Sequence, residues 1–216
     1  MERLGTFRAK GLEEKLLKAL KGTTTVGIAF NDFVVLAADR RATSGFYISH
    51  KRAKKILMVD DHIAATISGL VGDAQWLIDR LRLSVAMYKV TNNEPIPVSA
   101  AANLASMMLF ENRPIMIAHI LIGGVDREGG SLYSIDWLGT VTKERFTATG
   151  SGSPFAISIL ESEYKESMSE DEAVKLAIRA VRAALRRDPG SGEGVDVVVV
   201  TRSGYKELRG EDVLPS

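Results

Sequence analysis

Three threonines, Thr23, Thr24 and Thr25, stand directly behind Gly22 in the stretch "KGTTTVGIAF". A threonine hydroxyl is a weak nucleophile and needs a base beside it. At a chain's N-terminus it carries its own, because a free α-amine with a reference pKa of about 7.7–8.0 can take the hydroxyl proton at neutral pH. That chemistry requires the removal of every residue before Thr23. Glycine at the scissile position lets the backbone bend toward attack by the next residue's hydroxyl. The same residues also read as the start of a strand, since β-propensity predicts Thr-Thr-Thr-Val there. On spacing alone the strand reading is the stronger, and for Thr24 and Thr25 it is the expected one.

Other chemistries find little support. The chain has no cysteine, which removes disulfides, thiolate metal sites and cysteine nucleophiles, and fits a reducing cytoplasm. Its three histidines, His50, His62 and His119, are scattered and form no H-E-x-x-H spacing, so no metal or other cofactor is expected. No G-x-S-x-G nucleophile elbow occurs, and "GSGSPF" lacks the lysine and third glycine of phosphate-binding loops, reading instead as a turn into a helix. A net charge of +1 on 216 residues gives no reason to expect nucleic acid or an anionic membrane as partner. No stretch approaches the roughly 20 apolar residues that span a bilayer.

The elements that must position Thr23 begin with a change of texture at Gly22. Residues 1–22 hold six basic and three acidic residues, hence +3, leaving 22 basic and 24 acidic residues, hence −2, for the remainder. Leu12, Leu16, Leu17 and Leu20 predict a short amphipathic helix ended by Gly22. Lys and Glu interrupt its apolar runs, which makes it a poor secretory signal. It reads as a separate appendage.

Beyond it, "TTVGIAF" and "FVVLAAD" form a hairpin around Asn31-Asp32, and "KKILMVD" and "HIAATIS" a second around Asp60-Asp61. Leu77, Ile78, Leu81, Val85 and Tyr88 predict a helix over 73–90, and a second is expected over Ser99–Glu111. Three strands follow in "IMIAHILIGGV", "SLYSIDWLG" and "VTKERFTAT". A helix is expected over about 154–164. Another opens with the capping box Ser169-Glu170-Asp171-Glu172, ahead of "GVDVVVVT" and a short final strand. Blocks of strands alternating with pairs of helices argue against a doubly wound parallel sheet. "VDVVVV" is apolar on both faces and calls for cover on both. The expected architecture is α+β: two antiparallel sheets face to face with helix pairs outside.

The order "GTTTVGIAF…VVLAADRRAT", "KRAKKI", "SGLVGDAQ", "LIGGVD", "ATGSGS" and "RDPGSGEGVDVVVVT" resembles the β-type subunits of archaeal proteasomes, from about residue 22 to 201. The resemblance implies the N-terminal-nucleophile αββα sandwich and a propeptide, residues 1–22, cut autocatalytically between Gly22 and Thr23 to leave a catalytic domain of residues 23–216. It implies Thr23 as nucleophile, Asp39 and Lys55 as its charged partners, the backbone N–H of Gly69 as oxyanion donor, and Ser151, Asp188 and Ser191 as the network around the α-amine. Substrate would lie extended against Arg41, Ala42, Thr43 and the segment from Gly69 to Val71. The pocket before the cut would draw on Ala42, Ala53, Leu57, Ile67, Val71 and Gln75, which favours cleavage after hydrophobic residues. The implied partners are proteasome α-type subunits and other β subunits in stacked seven-membered rings, a regulatory ATPase acting through the α ring, and unfolded protein substrates, all in the cytoplasm.

Two stretches depart from the family's pattern: Phe33 stands where glycine is frequent, and Pro189-Gly190 fills the Asp-x-x-Ser loop. The rival readings are a non-catalytic ring subunit that stays unprocessed, and another N-terminal-nucleophile hydrolase such as the related bacterial ATP-dependent peptidase or an amidase.

Overall fold

In the computed structural model, residues 22–44, 47–69, 71–112, 116 and 118–214 are described; the expected helix of residues 12–20 lies outside them. Alternating burial makes the sandwich. In β2 (Phe33–Asp39), Val35 and Ala37 point to one side, while Val34, Leu36 and Ala38 point to the other. β11 (Val195–Thr201) repeats this, with Val195, Val197 and Val199 on the outer side and Val198 and Val200 on the inner. A period-2 strand that is apolar at every position must be covered twice.

The first sheet runs β10 (Phe146–Thr149), β1 (Thr25–Ala29), β2, β11 and β12 (Gly204–Arg209), every pairing antiparallel. The second runs β5 (Ile56–Asp60), β6 (Ile63–Gly69), β7 (Ala118–Asp126), β8 (Gly129–Ile135) and β9 (Val141–Glu144), also antiparallel. Helices α1 (Val71–Asn92) and α2 (Val98–Glu111) cover the outer face of the second sheet through Leu77, Ile78, Leu81, Ala101 and Ala105. Helices α3 (Ser153–Glu163) and α4 (Glu170–Leu185) cover the first through Ala156, Leu160, Ala177, Ile178 and Val181. Leu36, Leu121, Leu132 and Val198 fill the space between the sheets. The result is the expected four-layer α+β sandwich. The capping box forms as read, with Glu172 N–H on Ser169 Oγ and the Glu172 carboxylate accepting from Ser169 N–H.

Three features differ from the sequence expectation. A small hairpin, β3 (Ala42–Ser44) with β4 (Tyr47–His50), stands apart from both sheets, and a four-residue helix α5 (Gly210–Val213) follows the last strand. "VTKERFTAT" is not one strand. β9 belongs to the second sheet and β10 to the first, so the chain changes sheets at Arg145, whose carbonyl accepts from Ala29 N–H at 2.7 Å. No glycine or proline marks that step, which is why periodicity ran through it. The crossing brings Thr149, and the turn after it, alongside the start of β1.

Candidate active site

Thr23 and Thr24 lead into β1, an interior strand of the first sheet between β10 and β2, and that position buries them: Thr23 is 5% exposed and Thr24 not at all. Around them the ends of several elements converge. Asp39 closes β2, Lys55 immediately precedes β5, and Gly69 ends β6. Ser151 lies in the turn between β10 and α3, and Asp188 and Ser191 lie between α4 and β11.

Asp39 is the hub. Its Oδ1 accepts from Lys55 Nζ at 2.5 Å and from Thr24 N–H at 2.9 Å. Its Oδ2 accepts from the N–H groups of Arg41 and Gly192, both at 3.0 Å. Four donors on two oxygens leave no place for a carboxyl proton, so Asp39 is an anion and Lys55 its counterion. Burial pushes the Asp39 carboxyl up from its ordinary value, while Lys55 and the backbone donors pull it down. Burial likewise lowers the Lys55 ammonium, and the charge of Asp39 opposes that. Both side chains are all but inaccessible.

A second network meets the nitrogen of Thr23. Thr23 N–H donates to Ser151 Oγ at 3.2 Å, and Ser151 donates to Asp188 Oδ2 at 2.6 Å. Ser191 donates to the same Asp188 oxygen at 2.6 Å. Gly150 reaches this point with φ +94°, and a Cβ there would stand 2.1 Å from the Thr23 carbonyl oxygen, so only glycine fits the turn.

The junction ahead of Thr23 is as tightly seated. Gly22 N–H donates to Thr43 Oγ1 at 3.0 Å. A Cβ on Gly22 would come within 1.9 Å of Gly190 Cα, and one on Gly190 within 2.2 Å of Gly22 Cα. Gly22 and the unusual Gly190 therefore fit each other.

A cleft of about 840 Å³ opens beside Thr23, bordered by Ala42, Thr43, Ala53, Gly69 and Gln75, with Lys51 and Arg52 at its rim. A larger concavity, about 920 Å³, lies between β5 and β12, and among its charged residues Arg40 pairs with Asp196 and Lys54 with Glu207, each at 2.7 Å. It shares Lys51, Arg52 and Lys54 with the cleft beside Thr23 but is lined by none of Thr23, Asp39, Lys55, Ser151, Asp188 and Ser191.

The predicted site residues therefore divide. Thr23, Asp39, Lys55, Gly69, Ser151, Asp188 and Ser191 converge, and Ala42, Thr43, Ala53 and Gln75 face the cleft. Leu57 and Ile67 pack instead in the core between the second sheet and its helices. Arg41 is off the cleft wall. Its guanidinium donates to Pro189 O at 2.9 Å and pairs with Glu193 at 3.2 Å, tying down the loop that carries Asp188 and Ser191. The side chain of Val71 lies outside the described residues.

The strand reading of Thr24 and Thr25 was incomplete. Thr25 Oγ1 bonds Thr149 Oγ1 at 2.7 Å and accepts from Thr66 at 3.0 Å, and Thr24 Oγ1 lies 2.7 Å from Ser191 Oγ. Nothing in the local sequence distinguishes these hydroxyls from β-branched filler. Only the strands that close over them do.

Among the described residues no group of three or more His, Asp or Glu side chains could hold a metal ion, and no helix is long and apolar enough to cross a membrane.

Two antiparallel sheets between helix pairs, with a threonine at the head of a central strand and a buried Lys–Asp pair beside it, define the N-terminal-nucleophile sandwich class. Within that class the family described as proteasome subunit matches residues 19–200. The chain is 57% identical over 189 residues to proteasome subunit beta 1 of Pyrobaculum aerophilum, and 56% identical over 188 residues to proteasome subunit beta 2 of Pyrobaculum islandicum, each match covering 86% of this chain and 94% of the relative. Proteasome subunit beta 2 of Hyperthermus butylicus is 50% identical over 192 residues, covering 88% of this chain and 90% of that one. The chain belongs to the proteasome subunit family and is similar to its archaeal β subunits.

The Asp39–Lys55 pair yields a stability prediction. Asp39→Asn keeps the shape but strands a buried ammonium among backbone donors, and the expected loss is about 3–5 kcal/mol. Chemical denaturation of the assembled protein measures it. An unchanged midpoint would show that Lys55 sheds its proton or reaches water at little cost.

Proposed function

We propose that this chain is a catalytic β subunit of a 20S proteasome core, a threonine endopeptidase made as a zymogen and cut between Gly22 and Thr23. The observation that carries the reading is the double hold on Thr23. Its nitrogen bonds the Ser151–Asp188–Ser191 network, and the next amide bonds the carboxylate paired with Lys55.

In the uncleaved chain the Thr23 nitrogen is an amide and has no basic lone pair. The Thr23 hydroxyl attacks the Gly22 carbonyl, the acyl group passes from nitrogen to oxygen, and water releases residues 1–22. The nitrogen is then an amine at the point Ser151 already addresses.

In the mature subunit that amine takes the proton of Thr23 Oγ1 as the oxygen attacks a substrate carbonyl. The positive charge of Lys55 lowers the pKa of both groups. The developing oxyanion turns to the Gly69 N–H, a donor worth roughly 2.7–4 kcal/mol in comparable sites. Proton return to the leaving nitrogen frees one peptide and leaves an ester on Thr23. Water, deprotonated by the same amine, then hydrolyses it.

Substrate lies extended between the segment of Ala42 and Thr43 and the end of β6 at Gly69, using main-chain hydrogen bonds. Ala42 and Ala53 give the cleft an apolar wall beside Thr23, which supports cleavage after hydrophobic residues, and the basic rim disfavours lysine and arginine there. Unfolded cytoplasmic proteins are the substrates, reached inside stacked seven-membered rings of α and β subunits with an ATPase acting through the α ring. The alternative, an unprocessed structural subunit, separates cleanly by experiment.

Intact mass of the assembled wild-type particle should lack residues 1–22, whereas Thr23→Ala retains them. Wild-type particles that still carry Met1 to Gly22 would favour the structural subunit.

Catalysis needs a free amine and a charged Lys55, so peptide hydrolysis should follow a bell in pH. The acidic limb belongs to the Thr23 amine. The alkaline limb comes when Lys55 loses its proton, and because burial lowers the Lys55 pKa it falls below the ordinary 10.5. Rates that hold constant past that value would separate the charge of Lys55 from the mechanism.

A further inference from the structure

Thr24 takes no part in the steps above, yet its side chain is fully buried and its hydroxyl lies 2.7 Å from Ser191 Oγ. Ser191 has a single proton and directs it to Asp188 Oδ2 at 2.6 Å, so the proton between Thr24 and Ser191 is that of Thr24. The same reasoning applies on the other side. Ser151 gives its proton to Asp188 Oδ2 and accepts from Thr23 N–H. Two donor chains thus end on one carboxylate oxygen, one running from Thr24 through Ser191 and the other from the Thr23 nitrogen through Ser151.

Thr24 is also fixed from two further directions. Its N–H donates to Asp39 Oδ1, and a Cβ on Gly152, at the entry to α3, would lie 2.0 Å from its Oγ1. One residue therefore joins the Lys55–Asp39 pair through its main chain to the Asp188 network through its side chain.

We propose that Thr24 is a positioning residue whose buried hydroxyl, donating to Ser191, holds Asp188 so that Ser151 keeps a lone pair on the Thr23 nitrogen. The proposal rests on Thr23 acting as an N-terminal nucleophile. After processing, the Thr23 nitrogen is an amine, and its proton affinity depends on how much of the Asp188 charge the two serine hydroxyls neutralise. Without the Thr24 hydroxyl, the buried Ser191 oxygen loses its donor and Ser191 is free to leave Asp188. A barer carboxylate favours the ammonium form of the amine, which cannot act as a base. The charged groups facing this point are Asp39 from β2, Arg41 from the link to β3, Lys55 ahead of β5 and Asp188 after α4. Substitution at Thr24 removes none of these charges and alters only the hydrogen bonding of Asp188 through Ser191.

The test uses the full-length chain in assembled particles, comparing wild type, Thr24→Val, Thr24→Ser, Ser191→Ala and the double variant Thr24→Val/Ser191→Ala. Intact mass, thermal unfolding and the pH profile of kcat/KM are recorded for each. In Thr24→Val the acidic limb should move up by about half to one pH unit. Hydrolysis near neutrality should then fall about 3–10-fold and recover at higher pH. Thr24→Ser should rescue both. The double variant should be no slower than Ser191→Ala, because the hydroxyl acts through Ser191. A folded Thr24→Val that retains residues 1–22, beside a processed Thr24→Ser, also supports the proposal. Thr24→Ala carries the same test should the valine misfold.

Equal loss of rate at every pH, additive losses in the double variant, or a lowered unfolding temperature with an unmoved pH profile would each overturn it and leave Thr24 a packing residue. Failure of the underlying reading looks different: Thr23→Ala would then hydrolyse peptides like the wild type.

Discussion

The carboxylate of Asp39 holds the site together. It is completely buried, and its two oxygens take an ammonium and three backbone N–H groups. Those donors come from different parts of the chain: the approach to β1, the exit from β2, the approach to β5 and the loop before β11. An unpaired anion in such a place would be costly, so each donor is fixed by the others. Thr23 takes its position from this, because its neighbour's amide is one of the four. Main-chain bonds from Arg40 and Arg41 N–H to Gly192 O, at 3.0 and 3.1 Å, lock the same loop a second time.

The two-sheet fold makes that convergence possible. β2 and β11 pair side by side in the first sheet, which sets Asp39 opposite Val195 and hence close to the loop that supplies Asp188 and Ser191. β5 belongs to the other sheet, and the residue before it crosses the gap to reach Asp39. The pair is a bond between the sheets at the end where the interior apolar filling stops. A single sheet could not enclose a lysine so fully.

Much of this was legible in the sequence. Period-2 strands, paired helices and the capping box carried the layers, and the doubly apolar "VDVVVV" required cover on both sides. The converging polar residues were legible only through resemblance, since Asp39 and Lys55 lie sixteen positions apart and nothing in their spacing makes them partners. The sheet change at Arg145 was hidden because "VTKERFTAT" carries no breaker. Leu57 and Ile67 look like pocket residues by type, but strand alternation turns them to the helix side. The hydroxyl of Thr24 was hidden for another reason: a β-branched threonine suits a strand with or without a partner. The fit of Gly22 to Gly190 joins residues far apart in sequence, and no local pattern signals it.

In the proposed mechanism the Thr23 oxygen forms the covalent bond to substrate. A peptide epoxyketone or β-lactone with a hydrophobic residue at the reactive end traps such a nucleophile, and peptide mass spectrometry then locates the adduct. A single label is expected on a peptide whose first residue is Thr23, absent in Thr23→Ala particles. A label on Ser151 or Ser191, or one that persists in Thr23→Ala, would contradict it.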